Sequence, residues 1–335
     1  IINILFVTGI YFYLDKSLHI DKRWIFILPI LAAISLTQQT KTTLFDTMAY
    51  HVTVARWFSQ HGLVEGIANL DPTYGFMSPI FLIGALGEYF YSGHSWQLVN
   101  GIFFSCIVAI FIYWMITIRE NKKWIIFPAF ILVLYFNRSY ISSLSPDLWV
   151  NLYLPFFAGS IILRPFNQNW TQFIKTHSII VAFLCWVKLS AIPLFITLIC
   201  ILIIKRRHII WSKLLKDTSY LATLFLIPLG MAVLNYYASG YPFYPLTFIS
   251  FDVPWKVPAN RVEGLLKHIY LWGITPDYNI NTDYSGYWWV KEWWLRNYNS
   301  GYYLLESILL LLYPIQLLYI YLRFSEKSKG VILLI

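Results

Sequence analysis

The sequence predicts an all-α integral membrane protein, a bundle of transmembrane helices, and three features predict it. Only 12% of the 335 residues are charged while 58% are hydrophobic, about half the charge of a typical soluble domain. The apolar residues come in runs that recur along the whole chain. Those runs are apolar on every side instead of striped at helical period, as expected of a helix surrounded by lipid. The 15 Trp and 25 Tyr fit the same class, since amphipathic rings gather at membrane–water interfaces.

The runs predicted to enter the bilayer are 2–14, 24–37, 97–118, 124–137, 148–163, 174–187, 190–204, 218–237 and 301–322. Several fall short of the ~20 residues of an untilted span, so boundaries drawn from apolarity carry a margin of several residues. Basic clusters separate them: Lys16, Lys22 and Arg23; Arg119, Lys122 and Lys123; Arg164 and Lys175; Lys205, Arg206, Arg207, Lys213 and Lys216; Arg323, Lys327 and Lys329. Lys and Arg accumulate on the cytoplasmic side. All five clusters share that side on one condition: the further apolar stretch Phe76 to Tyr91, which carries Pro79, Gly84, Gly87 and Glu88, must not cross. It is therefore expected to be a re-entrant or juxtamembrane helix. The outer face then receives three loops, 38–96, 138–147 and 238–300.

A single membrane domain over 1–335 follows. The chain has no starting Met, and Val331–Ile335 opens another apolar run, so it reads as a piece of a longer protein. The net charge of +9 is loop charge spread over several clusters and forms no single basic face, which argues against nucleic acid as a partner. Cys106, Cys185 and Cys200 lie inside apolar runs without CxxC spacing. They read as small packing residues, implying neither a disulfide framework nor a zinc site.

Chemistry is expected in the loops. After Asp46 the pattern is helical, with Met48, Val52, Val54, Trp57 and Phe58 giving an apolar side suited to a helix at the membrane surface. Asp46 stands where an N-cap would. On an ideal helix Asp46 and Tyr50 share a face while His51 points away from both. In the second loop, Ser145 or Asp147 is placed to cap the run beginning near Leu148; alternatively Asp147 faces Asp46 across the mouth of the helices. Lys188 sits between two apolar runs. A lysine is costly in hydrocarbon, so it either snorkels to the interface or binds a lipid phosphate there. In the third loop Pro242, Pro245, Pro254 and Pro258 exclude a regular helix and favour an extended, rigid segment. Trp288, Trp289, Trp293 and Trp294 form one aromatic helix side, an interfacial anchor or a platform for stacking sugars.

These residues carry a resemblance. Asp46-Thr47 to Tyr50-His51, Gly62 to Asn69, Ser145-Pro146-Asp147-Leu148, Lys188-Leu189-Ser190, Gly240-Tyr241-Pro242 to Tyr244-Pro245, and Trp255-Lys256-Val257-Pro258 together resemble an uncharacterised family of large bacterial membrane proteins, over about residues 44–276. That family is similar in layout to the GT-C glycosyltransferases, which include protein O-mannosyltransferases and aminoarabinose transferases. The resemblance implies a GT-C-like bundle with extracytoplasmic juxtamembrane helices in a bacterial inner membrane. Its donor would be a polyprenyl-phosphate-linked sugar and its acceptor a glycan, lipid or protein on the outer face. Asp46 matches the acidic residue of the first outer loop and would be the catalytic base of an inverting transfer. Thr47 stands where many such enzymes have a second acid, which leaves a single base. Substrate contacts are expected from Tyr50, His51, Arg56, Arg138, Asp147, Lys188, Asp252 and Lys256, with Lys188, assisted by Arg56 or Arg138, on the leaving phosphate. No cofactor has sequence support of its own; a divalent ion, if used, would fall to Asp46 and Asp147. Two other classes compete. An O-antigen polymerase or ligase shares the large outer loop but needs no early-loop Asp. A transporter or flippase would carry internal repeats and polar residues at mid-membrane, and no repeat is visible. An inactive scaffold of the same fold is the third alternative.

Overall fold

The computed structural model describes residues 27–274 apart from 39, 43, 91–92, 94, 118–122 and 164–169. The runs 2–14 and 301–322, the tryptophan pairs from Trp288 to Trp294, and the basic clusters at Lys16–Arg23 and Arg323–Lys329 lie outside the described residues. Every regular element among the described residues is helical. In chain order these are α1 (Ile27–Gln38), a π-helical turn (Thr47–His51), α2 (Val52–His61), α3 (Pro79–Phe90), α4 (Trp96–Thr117), α5 (Lys123–Phe136), α6 (Asp147–Leu163), α7 (Trp170–Val187), α8 (Ile192–Lys205), the short α9 (Trp211–Leu215), α10 (Thr218–Ser239) and α11 (Ala259–Ile274), with short 3-10 turns between some of them.

Among the described residues three helical stretches are long and apolar enough to cross a membrane: Trp96–Met115, Leu189–His208 and Thr218–Ser239. The other predicted runs within the described residues are helical too, but shorter or more polar. α1 has 12 residues and α5 has 14, and α7 carries Lys175, Thr176, His177 and Ser178 in its first half. Pro155 sits inside α6 and Pro228 inside α10, which neighbouring helices and Ser/Thr groups make tolerable in membrane helices. Helix ends follow local chemistry. The Asp217 carboxylate accepts from the Tyr220 amide at 3.0 Å and opens α10. Gly240 closes it at φ 85°, donating its amide to the Tyr236 carbonyl at 2.7 Å, the left-handed stop that glycine adopts without strain.

The chain runs up and down. Gln38, at the end of α1, bonds the Leu98 carbonyl at the start of α4. Asn100, also at the start of α4, bonds Tyr140 and Ser145 in the link from α5 to α6. Those contacts gather the end of α1, the start of α4, the end of α5 and the start of α6 at one end of the bundle. The end of α7 joins them, because the Ser78 hydroxyl donates to the Val187 carbonyl at 3.2 Å and Lys188 pairs with Asp147. The opposite end holds the Lys175–Asp217 ion pair and the basic connector Arg206 to Lys216.

α3 is the element that the charge argument required not to cross. It begins beside Val187, passes Leu144 at Gly84, and meets Ser95 at Gly87. All three neighbours belong to the same end of the bundle, so α3 lies across that end and packs against α2 and α4. Its Glu88 is buried and accepts from the Gly93 amide at 3.0 Å and the Ser95 hydroxyl at 3.1 Å, which fixes the turn into α4.

The interior is aromatic. Phe111 stacks on Phe130, and Trp114 on Phe156. One polar knot lies within it: the Tyr153 hydroxyl meets His177 Nδ1 at 2.5 Å and the Ser160 hydroxyl meets Nε2 at 3.1 Å, while Ser160 also donates to the Phe157 carbonyl. Ser160 therefore accepts from Nε2–H and Tyr153 donates to Nδ1. Every group in the knot is satisfied, and it ties α6 to α7. Cys106, Cys185 and Cys200 are half-buried free thiols on α4, α7 and α8.

The third loop is non-helical from Gly240 to Pro258, as its prolines demanded. It is stitched to the segment after α2. Gly66 donates to the Tyr237 carbonyl, Asn69 to the Trp255 carbonyl at 2.7 Å, and the Tyr244 hydroxyl to the Pro72 carbonyl at 2.7 Å. Within the loop, the Tyr241 hydroxyl donates to the Val257 carbonyl at 3.0 Å.

Candidate functional site

Asp46 does not cap its helix. Its backbone is already helical (φ −58°, ψ −32°) and its side chain makes no capping hydrogen bond. The residues that follow form a π-helical turn. Wider winding changes which side chains share a face, and such turns are frequent at functional sites. In an α-helix His51 would point away from Asp46 and Tyr50. Here its ring lies against Tyr50 with centroids 4.2 Å apart, and its Nδ1 lies 3.5 Å from the Thr47 hydroxyl. Of the apolar side expected for this segment, Val52 and Val54 are buried while Met48 is exposed.

Asp147 occupies the first turn of α6. The cap belongs to Ser145, whose Oγ accepts from the Asp147 amide at 3.3 Å and donates to Asp147 Oδ2 at 3.0 Å. Asp147 Oδ1 forms an ion pair with Lys188. Lys188 does not simply snorkel: an extended residue (φ −158°, ψ 135°) separates α7 from the 3-10 turn preceding α8, and this break brings its ammonium to Asp147.

Asp46, Asp147 and Lys188, from three separate parts of the chain, act on one another. Partial burial raises the Asp46 pKa, although the residue keeps an exposed surface; the Asp147 charge adds to this and the Lys188 charge opposes it. Tyr50 is pushed further up, by burial and then by the charges of Asp46 and Asp147. His51, 2% exposed, is lowered to about 3 by burial; Asp147 opposes that shift and Lys188 reinforces it. The imidazole is therefore neutral at physiological pH, and Asp46 is a stronger base than a free carboxylate.

The remaining residues expected at the site are engaged elsewhere. Arg56 is exposed and donates to the Gly93 carbonyl at 3.3 Å. Arg138 donates to the Tyr135 carbonyl at 2.7 Å and lies over the Tyr135 ring, closing α5. Lys256 donates to Ser250 at 2.9 Å and lies over Tyr241, and Asp252 is exposed at the base of the third loop. Sequence reasoning passed over Asn100, which is fully buried. Its amide donates to Tyr140, Ser143 and Ser145, and its Oδ1 accepts from Trp149 Nε1 at 2.8 Å. That side chain holds the turn from which Asp147 projects. An asparagine inside an apolar run was the available signal.

As a metal centre the site is poor. Among the described residues no group of three or more His, Cys, Asp or Glu gathers. Asp147 Oδ1 pairs with Lys188 and Oδ2 accepts from Ser145, so a divalent ion at Asp46 and Asp147 would share Asp147 with those partners.

Fold and site together define a helical membrane protein with an acid–base cluster at one end of its bundle. The chain belongs to the family described as Domain of unknown function (DUF8201), which matches residues 5–335. No curated protein and no solved structure matches it.

Proposed function

We propose that the chain is a GT-C-like glycosyltransferase moving a sugar from a polyprenyl-phosphate donor to an acceptor hydroxyl on the outer face of a bacterial inner membrane. The observation that carries this reading is the electrostatic coupling of Asp46, not used as a cap and with a raised pKa, to the Asp147–Lys188 pair. A base and a cation within electrostatic reach of each other suit displacement at an anomeric carbon. Asp46 takes the proton of the acceptor hydroxyl as its oxygen bonds to the anomeric carbon. The bond from that carbon to the phosphate oxygen breaks, and the polyprenyl phosphate leaves with the electron pair. Lys188 carries three donors and keeps others for that phosphate while bonded to Asp147. Asp147 aims the ammonium, and Asn100 aims Asp147. Arg56 and Arg138 have no part in this arrangement.

The test is the affinity of the purified chain for a polyprenyl phosphate in one detergent, for wild type, Lys188→Gln, Lys188→Arg and Asp147→Asn. Loss of a hydrogen bond to a charged group costs about 1–3 kcal/mol, so Lys188→Gln should bind roughly 5- to 150-fold more weakly, and Lys188→Arg should recover part of the loss. Asp147→Asn should retain binding, since the cation remains. Equal affinities for wild type and Lys188→Gln would remove Lys188 from the site.

A further inference from the structure

The segment from Phe243 to Phe251 is uncharged and exposes Phe243, Leu246, Phe248, Ile249 and Phe251, with Phe248 68% and Phe251 50% exposed. A loop outside any helix does not hold such side chains in water without a reason. It is a built element. The Phe251 amide bonds the Gly240 carbonyl at 3.1 Å, closing the loop at its base, and Leu246 bonds the Phe243 carbonyl at 2.8 Å. Phe243 stacks along Phe248 with centroids 5.5 Å apart, and Phe251 packs edge-on against Tyr236 at 5.1 Å.

Its position says what covers it. The loop follows α10, a helix long and apolar enough to cross a membrane, whose surface turns mostly outward. Phe243 stacks on Trp186 in the last turn of α7, centroids 6.2 Å apart, which puts the loop at the level of the chain break at Lys188. The exposed apolar side chains of the loop thus continue the exposed apolar surface of α10, which includes Phe225, Leu229 and Val233. Aromatic residues with polar atoms, Tyr236, Tyr237 and Trp255, cluster at the loop's base, beside Lys256 and the exposed Asp252. Polar-tipped rings and charges at the base with Phe, Leu and Ile beyond them match the gradient from headgroups to acyl chains. A non-helical backbone is not tolerated in the hydrocarbon centre, so the depth reached is the boundary between headgroups and acyl chains.

We propose that Phe243–Phe251 is a membrane-dipping loop whose partner is the lipid bilayer itself, inserted at the Asp46 end of the bundle beside α10. The inference does not depend on the chemistry proposed for Asp46. It is tested in phospholipid nanodiscs with the chain carrying Phe248→Cys in a background where Cys106, Cys185 and Cys200 are Ala. A fluorophore on Cys at 248 should be quenched by phospholipids bearing a nitroxide near the top of the acyl chain and protected from aqueous iodide, as should one placed by Phe225→Cys on α10. Quenching by iodide without quenching by the lipid nitroxide would overturn the proposal. So would protection from both, which would assign the loop to a protein contact. If the cysteine-free background does not fold, the wild-type chain is irradiated in nanodiscs containing a photoactivatable diazirine phospholipid. Lipid adducts on peptides spanning 243–251 are expected; adducts on α10 peptides with none on the loop would overturn it.

Discussion

Asp46 separates a structural from a chemical role with one substitution. Its folded pKa is raised, so the ionised form is less stable in the folded chain than in the unfolded one. Such a group costs stability as pH rises through its folded pKa. Asp46→Asn removes that cost at neutral pH and sacrifices no cap, since there is none. The variant should melt in detergent at the wild-type temperature or slightly higher while sugar transfer falls to background; normal transfer would leave Asp46 without a catalytic role. His51 is the opposite case. Its pKa is lowered to about 3 from an ordinary 6.5, so between those values the unfolded chain binds a proton that the folded one refuses. Its contribution to stability is full above pH 6.5 and falls as pH drops towards 3, by at most about 1.4 kcal/mol per pH unit. Melting temperature against pH should therefore decline less steeply in His51→Phe than in wild type, and parallel curves would contradict the buried neutral imidazole. Position in the sequence drew attention to Asp46, Asp147 and Lys188, and the fold pairs the last two. The partners of Arg56 and Arg138 were not legible, because each bonds a backbone carbonyl, Gly93 and Tyr135, and a carbonyl leaves no mark in side-chain pattern.

Between Asp46 and α2 the winding of the backbone decides what the side chains can do. The sequence reading assumed 3.6 residues per turn from Asp46 onward and so placed His51 away from Tyr50. Nothing in Thr47-Met48-Ala49-Tyr50-His51 announces a π-helix, because the wider turn is held by the packing of buried Thr47 and His51, which is tertiary. The helices themselves were legible, since an apolar run of sufficient length admits little else. The flat course of α3 was legible only through its neighbours' charges, because its own composition resembles a span. A π-turn holds one residue more than the α-helical winding it interrupts, so deleting one should restore regular winding. Ala49 is exposed and has no side chain to lose. Its deletion should leave helical circular dichroism near wild type, because α2 and α3 still pack together. It should also rotate Asp46 by roughly 100° relative to α2 and abolish transfer. Retained transfer would mean that the π-turn does not set the site.

At the scale of the whole chain, the fold gathers at one bundle end the basic residues of two clusters that lie among the described residues, Lys175 and Lys205 to Lys216. Basic residues predicted one shared side for Arg164–Lys175 and Lys205–Lys216 from loop charge alone. The structure pairs Lys175 with Asp217 at the bundle end opposite Asp46 and places Arg206, Arg207 and Lys213 there, exposed. The 22-residue α10 separates that end from the third loop and α11. Labelling decides which end of α10 faces outward. Lys213, on α9, and Asn260, on α11, are both exposed and lie at opposite ends of α10. With a membrane-impermeant maleimide, Asn260→Cys should label in intact cells, and Lys213→Cys only after permeabilisation. The wild-type chain serves as the control, since its three thiols are half-buried within helices. Labelling of both from outside would mean that α10 does not cross the membrane, which would remove the basis for placing Asp46 on a separate face. The inverse pattern would keep the bundle but turn Asp46, Asp147 and Lys188 towards the cytoplasm, where an outer-face acceptor is out of reach and the proposed transfer fails with it.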